Sequence, residues 1–249
     1  MDNVALVINT ISKNSDVWEM FFDQIEKHFP LDIKKYVFVD KNATGLPANV
    51  EVLEYDPEVL YQEQFVSCIS HVTEEYCIYI SEDYILYKDV RIDLIEEFRT
   101  VMDQNDSLSF IRFMKGGVVD FGLTRFKQYE NLFELSNRVP YFYTNQAALW
   151  RTRDLERIHV HGPNLHIANE DWQNSFEYKA TITCQELNIR GVYSYYGEPK
   201  RGLYHYDSEV FPHISTALVK GKWNIAEYPA ELHPLLLHYE IDPAVRGVA

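Results

Sequence analysis

The spacing of apolar positions changes period along this chain, and each change marks an element. "VALVINT", Val4 to Thr10, is an apolar run of strand length. Val17, Phe21, Ile25 and Phe29 then recur every fourth residue until Pro30, so one helical face is apolar and the proline ends it. Asp16 followed by Glu19 has capping-box spacing at the start of that helix. "KKYVFVD" predicts a second strand ending on Asp40, "KNATGLPAN" is turn chemistry, and "VEVLEYD" predicts a third strand ending on Asp56 before Pro57. A helix over about 60–75 buries Phe65, Cys68, Ile69 and Val72. It leads into "YCIYISEDYILYKDV", whose alternating start is a fourth strand. A further helix follows over 90–102, and "LSFIRFM" is a fifth strand.

Strands and helices alternating at such short intervals predict an α/β fold, a mostly parallel central sheet flanked by helices. Beyond Gly116 and Gly117 the pattern loosens. Residues 118–142 read as loops or a short ribbon, "YFYTNQAALW" as a strand, "RTRDLERI" as a helix start, and 170–177 as a short helix entered from the "HGPN" turn. From Gly197 the tail carries five of the ten prolines with many Tyr and His, which suits an irregular extension wrapped on the same domain. The expected division is therefore 1–196 as one domain, with 1–115 and 116–196 as its halves, and 197–249 as the extension.

Composition narrows the function classes. A hydrophobic content of 46% in 249 residues supports a sizeable core, and the formal charge of −15 opposes non-specific binding to nucleic acid or anionic membrane. "MDNVALVINT" lacks the basic n-region of a signal peptide, and no apolar run reaches the roughly 20 residues of a membrane helix. Cys68, Cys77 and Cys184 are scattered and odd in number, which favours reduced thiols. The expectation is a soluble, cytoplasmic protein without an integral membrane segment.

In an open parallel sheet, ligands sit outside the carboxyl ends of the strands. Thr10, Asp40, and the adjacent Glu82 and Asp83 fall at such ends. A carboxylate there suits Mg²⁺ or Mn²⁺ bridging to phosphates, which would let an acidic protein bind a diphosphate. Read alone, the same acids also suit capping of the next turn. In the tail, "GEPKRGLYHYD" offers Lys200 and Arg201 to a diphosphate and His205 to a metal, with His213 as a second candidate, or is simply a solvated surface loop. His159, His161 and His166 in "HVHGPNLH" invite a zinc reading, without a nearby cysteine to strengthen it. Tyr141, Tyr143, Trp150 and Trp172 suit either sugar faces or a core, as do Tyr204 and Tyr206 beside His205. Arg151, Arg153 and Arg157 read as a charged helix face or as contacts to an anion. No phosphate-binding Gly-rich loop, dinucleotide fingerprint or nucleophile elbow is present, which removes P-loop NTPase, dinucleotide oxidoreductase and serine hydrolase readings.

"EEYCIYISEDYILYKDV" resembles the region around the acidic metal motif of GT-A-type, nucleotide-sugar-dependent glycosyltransferases, especially small bacterial and phage-like ones whose strand ends in "EDY" or "DDY". "YVFVDKNATG" is similar to their second strand, "TNQAALWRTRDLERI" to their acceptor-side strand and helix, and "NEDWQNSFE" to the following acidic motif. The resemblance runs in order over residues 4–178. It implies a GT-A (Rossmann-like) fold and transfer of a sugar, with inversion, from a nucleoside diphosphate donor such as a UDP-sugar to a glycan or other hydroxyl acceptor in polysaccharide biosynthesis. It implies that Asp40 holds the nucleobase, that Asp83 meets the metal, and that Asp171, with Glu170 beside it, is the catalytic base. The family motif is Asp-x-Asp, whereas this chain has Ser81-Glu82-Asp83, so Glu82 is left to the ribose, to a water-bridged metal, or to neither. The alternative is a non-catalytic nucleotide-sugar or glycan-binding protein that retains the fold; a third is an acidic interaction module that binds no nucleotide.

Overall fold

The computed structural model describes residues 1, 3–117, 122–162 and 175–249. Its main strands are β1 (Val4–Asn9), β2 (Lys34–Asp40), β3 (Glu51–Tyr55), β4 (Tyr76–Ser81), β6 (Phe110–Arg112), β7 (Leu132–Leu135), β8 (Ala148–Arg151) and β9 (Gly191–Ser194), and a two-residue strand, β5 (Ile85–Leu86), lies outside their sheet. The eight pair in the order β3-β2-β1-β4-β8-β6-β9-β7. The first four are mutually parallel, as are β6 and β9, while β8 runs antiparallel between β4 and β6, and β7 antiparallel at the far edge. This is the α/β arrangement expected from the pattern, a mostly parallel sheet flanked by helices.

The period-two alternation within each strand sends side chains to two cores. Leu6 and Ile8 of β1 face α1 (Ser15–His28) and α3 (Ile92–Asp103), with Phe21, Ile25, Ile95 and Phe98 in one apolar cluster. Ala5 and Val7 face the opposite side, joining Phe65 of α2 (Tyr61–Ile69), Leu155 of α4 (Thr152–Val160) and Cys184 of α5 (Phe176–Glu186). All three cysteines are buried and free, and burial lifts the thiols of Cys68 to about 11 and Cys77 to about 12.

The tail beyond β9 adds the ribbons β10–β11 (Lys200–Arg201, His205–Tyr206) and β13–β14 (Leu218–Val219, Lys222–Trp223), the strand β12 (His213–Ile214) paired to β5, and helices α6 (Pro229–His238) and α7 (Pro243–Arg246). Its Val210, Phe211, Trp223, Tyr228 and Leu232 are buried in the core of α1 and α3.

The details depart from the pattern in three places. Asp16 does not cap α1: Asn14 is the N-cap and makes no side-chain cap bond, while Asp16 pairs with Arg246 of the tail. The strand expected over 141–150 forms only from Ala148, because the preceding residues bend around a cavity. The fully buried β9 and the helix continuing from Phe176 to Glu186 lie outside the pattern read from sequence. Among the described residues no helix is long and apolar enough to cross a membrane.

Candidate functional site

The carboxyl ends of β4 and β6 and the chain entering β8 meet at one edge of the sheet. There they enclose a cavity of about 450 Å³, walled also by Glu177 at the start of α5 and by Tyr204 and Thr216 from the tail. Asp83 reaches it because the chain turns directly after β4, with the Tyr84 amide donating to the Ser81 carbonyl (3.0 Å). The Ala217 amide donates to the Asp83 carbonyl (3.1 Å), fixing the turn to the tail.

Desolvation, then the neighbouring Glu82 carboxylate, raises the proton affinity of Asp83 well above the usual range. Glu177 is also raised by burial, partly offset by the Asn145 amide donating to Oε1 (2.7 Å) and by the charge of Arg112. Arg112, at the end of β6, is 2% exposed, and burial lowers it to about 10. Its Nη2 donates to the carbonyls of Phe142 (2.6 Å) and Tyr141 (3.2 Å), so this cation holds the wall in shape. Along that wall, Thr144 Oγ1, Asn145 Oδ1 and Gln146 Oε1 are buried without a hydrogen-bond partner among the described residues. Two carboxylates of raised proton affinity, one buried cation and three unpartnered oxygens thus surround one space. Such a site holds protons more tightly than exposed carboxylates do and can recognise hydroxyls.

Of the residues singled out in the sequence, Asp83, Tyr141 and Tyr204 line this cavity, and the other candidate nucleotide and metal ligands do not. Thr10 Oγ1 accepts from Trp18 Nε1 (2.8 Å) and its carbonyl from the Tyr55 hydroxyl (3.1 Å). Asp40 accepts from the Ser12 amide (2.5 Å) and the Ser12 hydroxyl. Glu82 is buried, its proton affinity raised by desolvation, and it accepts from Asn14 Nδ2 (2.5 Å). Lys200 is exposed. Arg201 is tied to Asp207 (3.0 Å) and Glu231 (2.6 Å) and lies over the Tyr228 ring. His205 and His213 are buried and held neutral by desolvation, His213 at about 4; His205 Nε2 meets the Tyr228 hydroxyl (2.5 Å), and His213 Nδ1 the Phe211 carbonyl (2.5 Å). Glu170, Asp171, His166 and Trp172 lie outside the described residues.

The other motifs resolve into packing. His159 is a core residue stacked on Phe65 (3.7 Å between centroids), which ends the zinc reading for it, and no three His, Cys, Asp or Glu side chains converge on a metal among the described residues. Tyr143 and Trp150 are buried, whereas Tyr141 and the 63%-exposed Tyr204 reach the cavity. Arg151 is buried rather than part of a charged helix face; Arg153 and Arg157 are exposed on α4. Sequence reasoning missed Glu177, Arg112 and the 144–146 wall. Glu177 had one legible signal, its place inside "NEDWQNSFE", two residues after the helix-capping Ser175.

No family model and no curated protein matches the sequence. Among solved structures the chain is similar to S. aureus TarS (residues 1–349), with 14% identity over 82% of this chain and 60% of that one and a TM-score of 0.46. It is also similar to CMP:2-keto-3-deoxy-manno-octonic acid synthetase complexed with CTP, with 9% identity over 76% of this chain and 88% of that one and a TM-score of 0.47. The chain thus spans 60% of the length of the TarS structure.

Proposed function

We propose that this chain is a glycosyltransferase, moving a sugar from a nucleoside diphosphate donor, a UDP-sugar, to an acceptor hydroxyl bound in the cavity. The observation that carries this reading is that Asp83 and Glu177, both with proton affinity raised by burial, face one 450 Å³ cavity at the carboxyl edge of the sheet. Sugar transfer poses two problems: the acceptor hydroxyl must lose a proton, and the leaving diphosphate gathers negative charge. A carboxylate whose proton affinity is raised by burial is a stronger base than an exposed one, and the Asn145 amide orients Glu177 for that role. We assign the base to Glu177, ahead of Asp171 and Glu170 of the same stretch. A base on the face opposite the leaving group gives inversion at the anomeric carbon.

The donor set around Asp83 suits Mg²⁺ or Mn²⁺ in one respect, a carboxylate oxygen at a strand end, a hard ligand. With no three-residue metal cluster among the described residues, such an ion would be held by Asp83 and chiefly by the donor's own phosphates, and when bound it would offset the charge of the leaving diphosphate.

The second reading, a nucleotide-sugar or glycan-binding protein without turnover, is favoured by one fact: the side chains of Thr10, Asp40, Glu82 and Arg201 already have partners within the chain. One experiment separates the two. Hydrolysis of UDP-sugars by wild type, Glu177→Gln and Asp83→Asn is followed with and without Mn²⁺, alongside UDP titrations. The transferase reading expects Glu177→Gln to bind UDP normally and turn over about 100-fold or more slowly. It expects Asp83→Asn to lose metal-dependent UDP binding. UDP binding with no hydrolysis by wild type supports the binding protein, and turnover unchanged in both variants sinks the site assignment.

A further inference from the structure

A second concavity, of about 730 Å³, opens beside the loop after β1, lined by Ile11 to Asp16 except Ser12, by the tip of the β13–β14 hairpin and by α7. It shares no lining residue with the cavity described above. Its charge is opposite in sign to the net charge of the chain. On a chain of formal charge −15, Lys13, Lys220, Lys222 and Arg246 converge on it against one carboxylate, Asp16.

The four cations are not equivalent. Arg246 is spent on structure: its guanidinium pairs with both oxygens of Asp16, donates to Asn14 Oδ1 (3.2 Å) and reaches the Gly221 carbonyl (3.3 Å). That one side chain thereby fastens α7, the hairpin tip and the start of α1 to each other. The side chains of Lys13, Lys220 and Lys222 are exposed and make no ion pair or hydrogen bond among the described residues. Lys220 and Gly221 are the central residues of a two-residue hairpin turn with φ of 50° and 78°, the type I′ geometry, so the backbone holding the two lysines is set before any ligand arrives. Three unpaired ammonium groups on a pre-fastened rim repel one another unless an anion lies between them.

We propose that this groove is a binding site for the phosphate groups of a phosphate-bearing ligand, held by Lys13, Lys220 and Lys222 and shaped by Arg246. Ammonium groups act as point charges toward phosphate, which suits an open groove where the anion is not clamped in one orientation. The site goes beyond the transferase reading, because it is built by the hairpin and α7 and does not depend on Asp83 or Glu177. The ligand is either the phosphate part of a nucleotide or a phosphate-bearing molecule without a base, and the test below tells these apart.

The test is calorimetric titration of the full chain with inorganic pyrophosphate and, separately, with UDP. The variants are Lys220→Glu/Lys222→Glu, both on the exposed hairpin, and a control of equal charge change elsewhere on the surface, Lys27→Glu/Lys88→Glu. Pyrophosphate binds wild type and the control alike and the hairpin variant about tenfold or more weakly, the effect of reversing two exposed charges. If UDP weakens in parallel, the phosphates belong to a nucleotide; if UDP affinity is untouched, they belong to a ligand without a base. The proposal fails if wild type does not bind millimolar pyrophosphate, if the hairpin variant binds it unchanged, or if both variants weaken equally. The pyrophosphate readout involves neither Asp83 nor Glu177, so the failure of this proposal and the failure of the transferase reading, which is read from turnover in Glu177→Gln and Asp83→Asn, are distinguishable.

Discussion

Gly117→Ala tests how the tail closes the cavity. Gly117 is needed for space, since its backbone lies outside the positive-φ region. A β-carbon there would stand 2.7 Å from the His205 nitrogen, 2.8 Å from the Tyr204 carbonyl carbon and 2.9 Å from the Leu203 oxygen, where ordinary contact starts at 3.4 Å. All three are backbone atoms and cannot rotate aside, so segment 203–205 must retreat. The same segment accepts the Gly117 amide at the Tyr204 carbonyl (2.7 Å), and that bond lengthens as it moves. Overpacking of this kind costs about 1–3 kcal/mol. The weakened hydrogen bond adds about 1 kcal/mol. The expected loss is therefore about 2–4 kcal/mol, which for a chain of this size lowers the unfolding midpoint by roughly 5–15 °C. Tyr204 moves with the segment, so any ligand that fills the cavity binds more weakly than the stability loss alone would explain. Thermal unfolding followed by circular dichroism, with ligand titration well below the new midpoint, reads both effects. A midpoint within about 1 °C of wild type would refute the close crossing of residues 117 and 203–205.

Two further outcomes follow from buried groups. His159 is fully buried and held near a pKa of about 3 by desolvation, against about 6.5 unfolded, so the unfolded chain takes up a proton that the folded chain refuses. Its contribution to stability is complete above pH 6.5 and is lost as pH falls toward 3; in His159→Leu the unfolding free energy from urea titrations should lose about 1.4 kcal/mol per pH unit of this slope, and an unchanged slope would argue against burial of the ring. Arg151 donates to the carbonyls of Met102 (2.6 Å) and Leu108 (3.1 Å), to the Tyr76 hydroxyl (2.9 Å) and to the half-exposed Glu75 (3.1 Å). Arg151→Met should cost about 3 kcal/mol in urea unfolding, and Arg151→Lys should recover little of it because one ammonium cannot span the four acceptors; full rescue by lysine would mean that charge alone matters there.

The layout of the first half was legible because it follows from local periodicity. Val17, Phe21, Ile25 and Phe29 mark their helix without reference to anything distant, and the strands ending at Asn9, Asp40, Tyr55 and Ser81 lie where the apolar runs stop. The second half was less so, since its main-sheet strands are four residues long and completed by partners far along the chain: Trp150 pairs with Cys77 and Phe110, and Phe133 with Tyr193. The same reason divides the site. Asp83 was legible because a strand end is a local signal. Glu177 was not, because an acid in the first turn of a helix usually serves the helix dipole, and only its burial against Asn145 and Arg112 distinguishes it. Asp40 and Arg201 carry the right chemical groups for a nucleotide, but sequence does not reveal that Ser12, Asp207 and Glu231 already satisfy them.

The antiparallel strand β8, set between β4 and β6, also orders events in time. When β4 has left the ribosome it has β1 on one side and nothing on the other, for its neighbour is completed only at Arg151. At ordinary synthesis rates of about 5–20 residues per second, roughly 70 residues must follow, a delay of about 4–14 s. During that interval the open edge reads Tyr-Cys-Ile-Tyr-Ile, an apolar strand with unpaired amides and carbonyls, the kind of template that captures another nascent chain. The intervening β6 cannot close it, since β6 is joined to β4 only through β8. The strand order that brings Arg112, Asp83 and residues 144–146 to one cavity therefore makes the yield of folded protein sensitive to how fast the chain is made and how crowded its surroundings are.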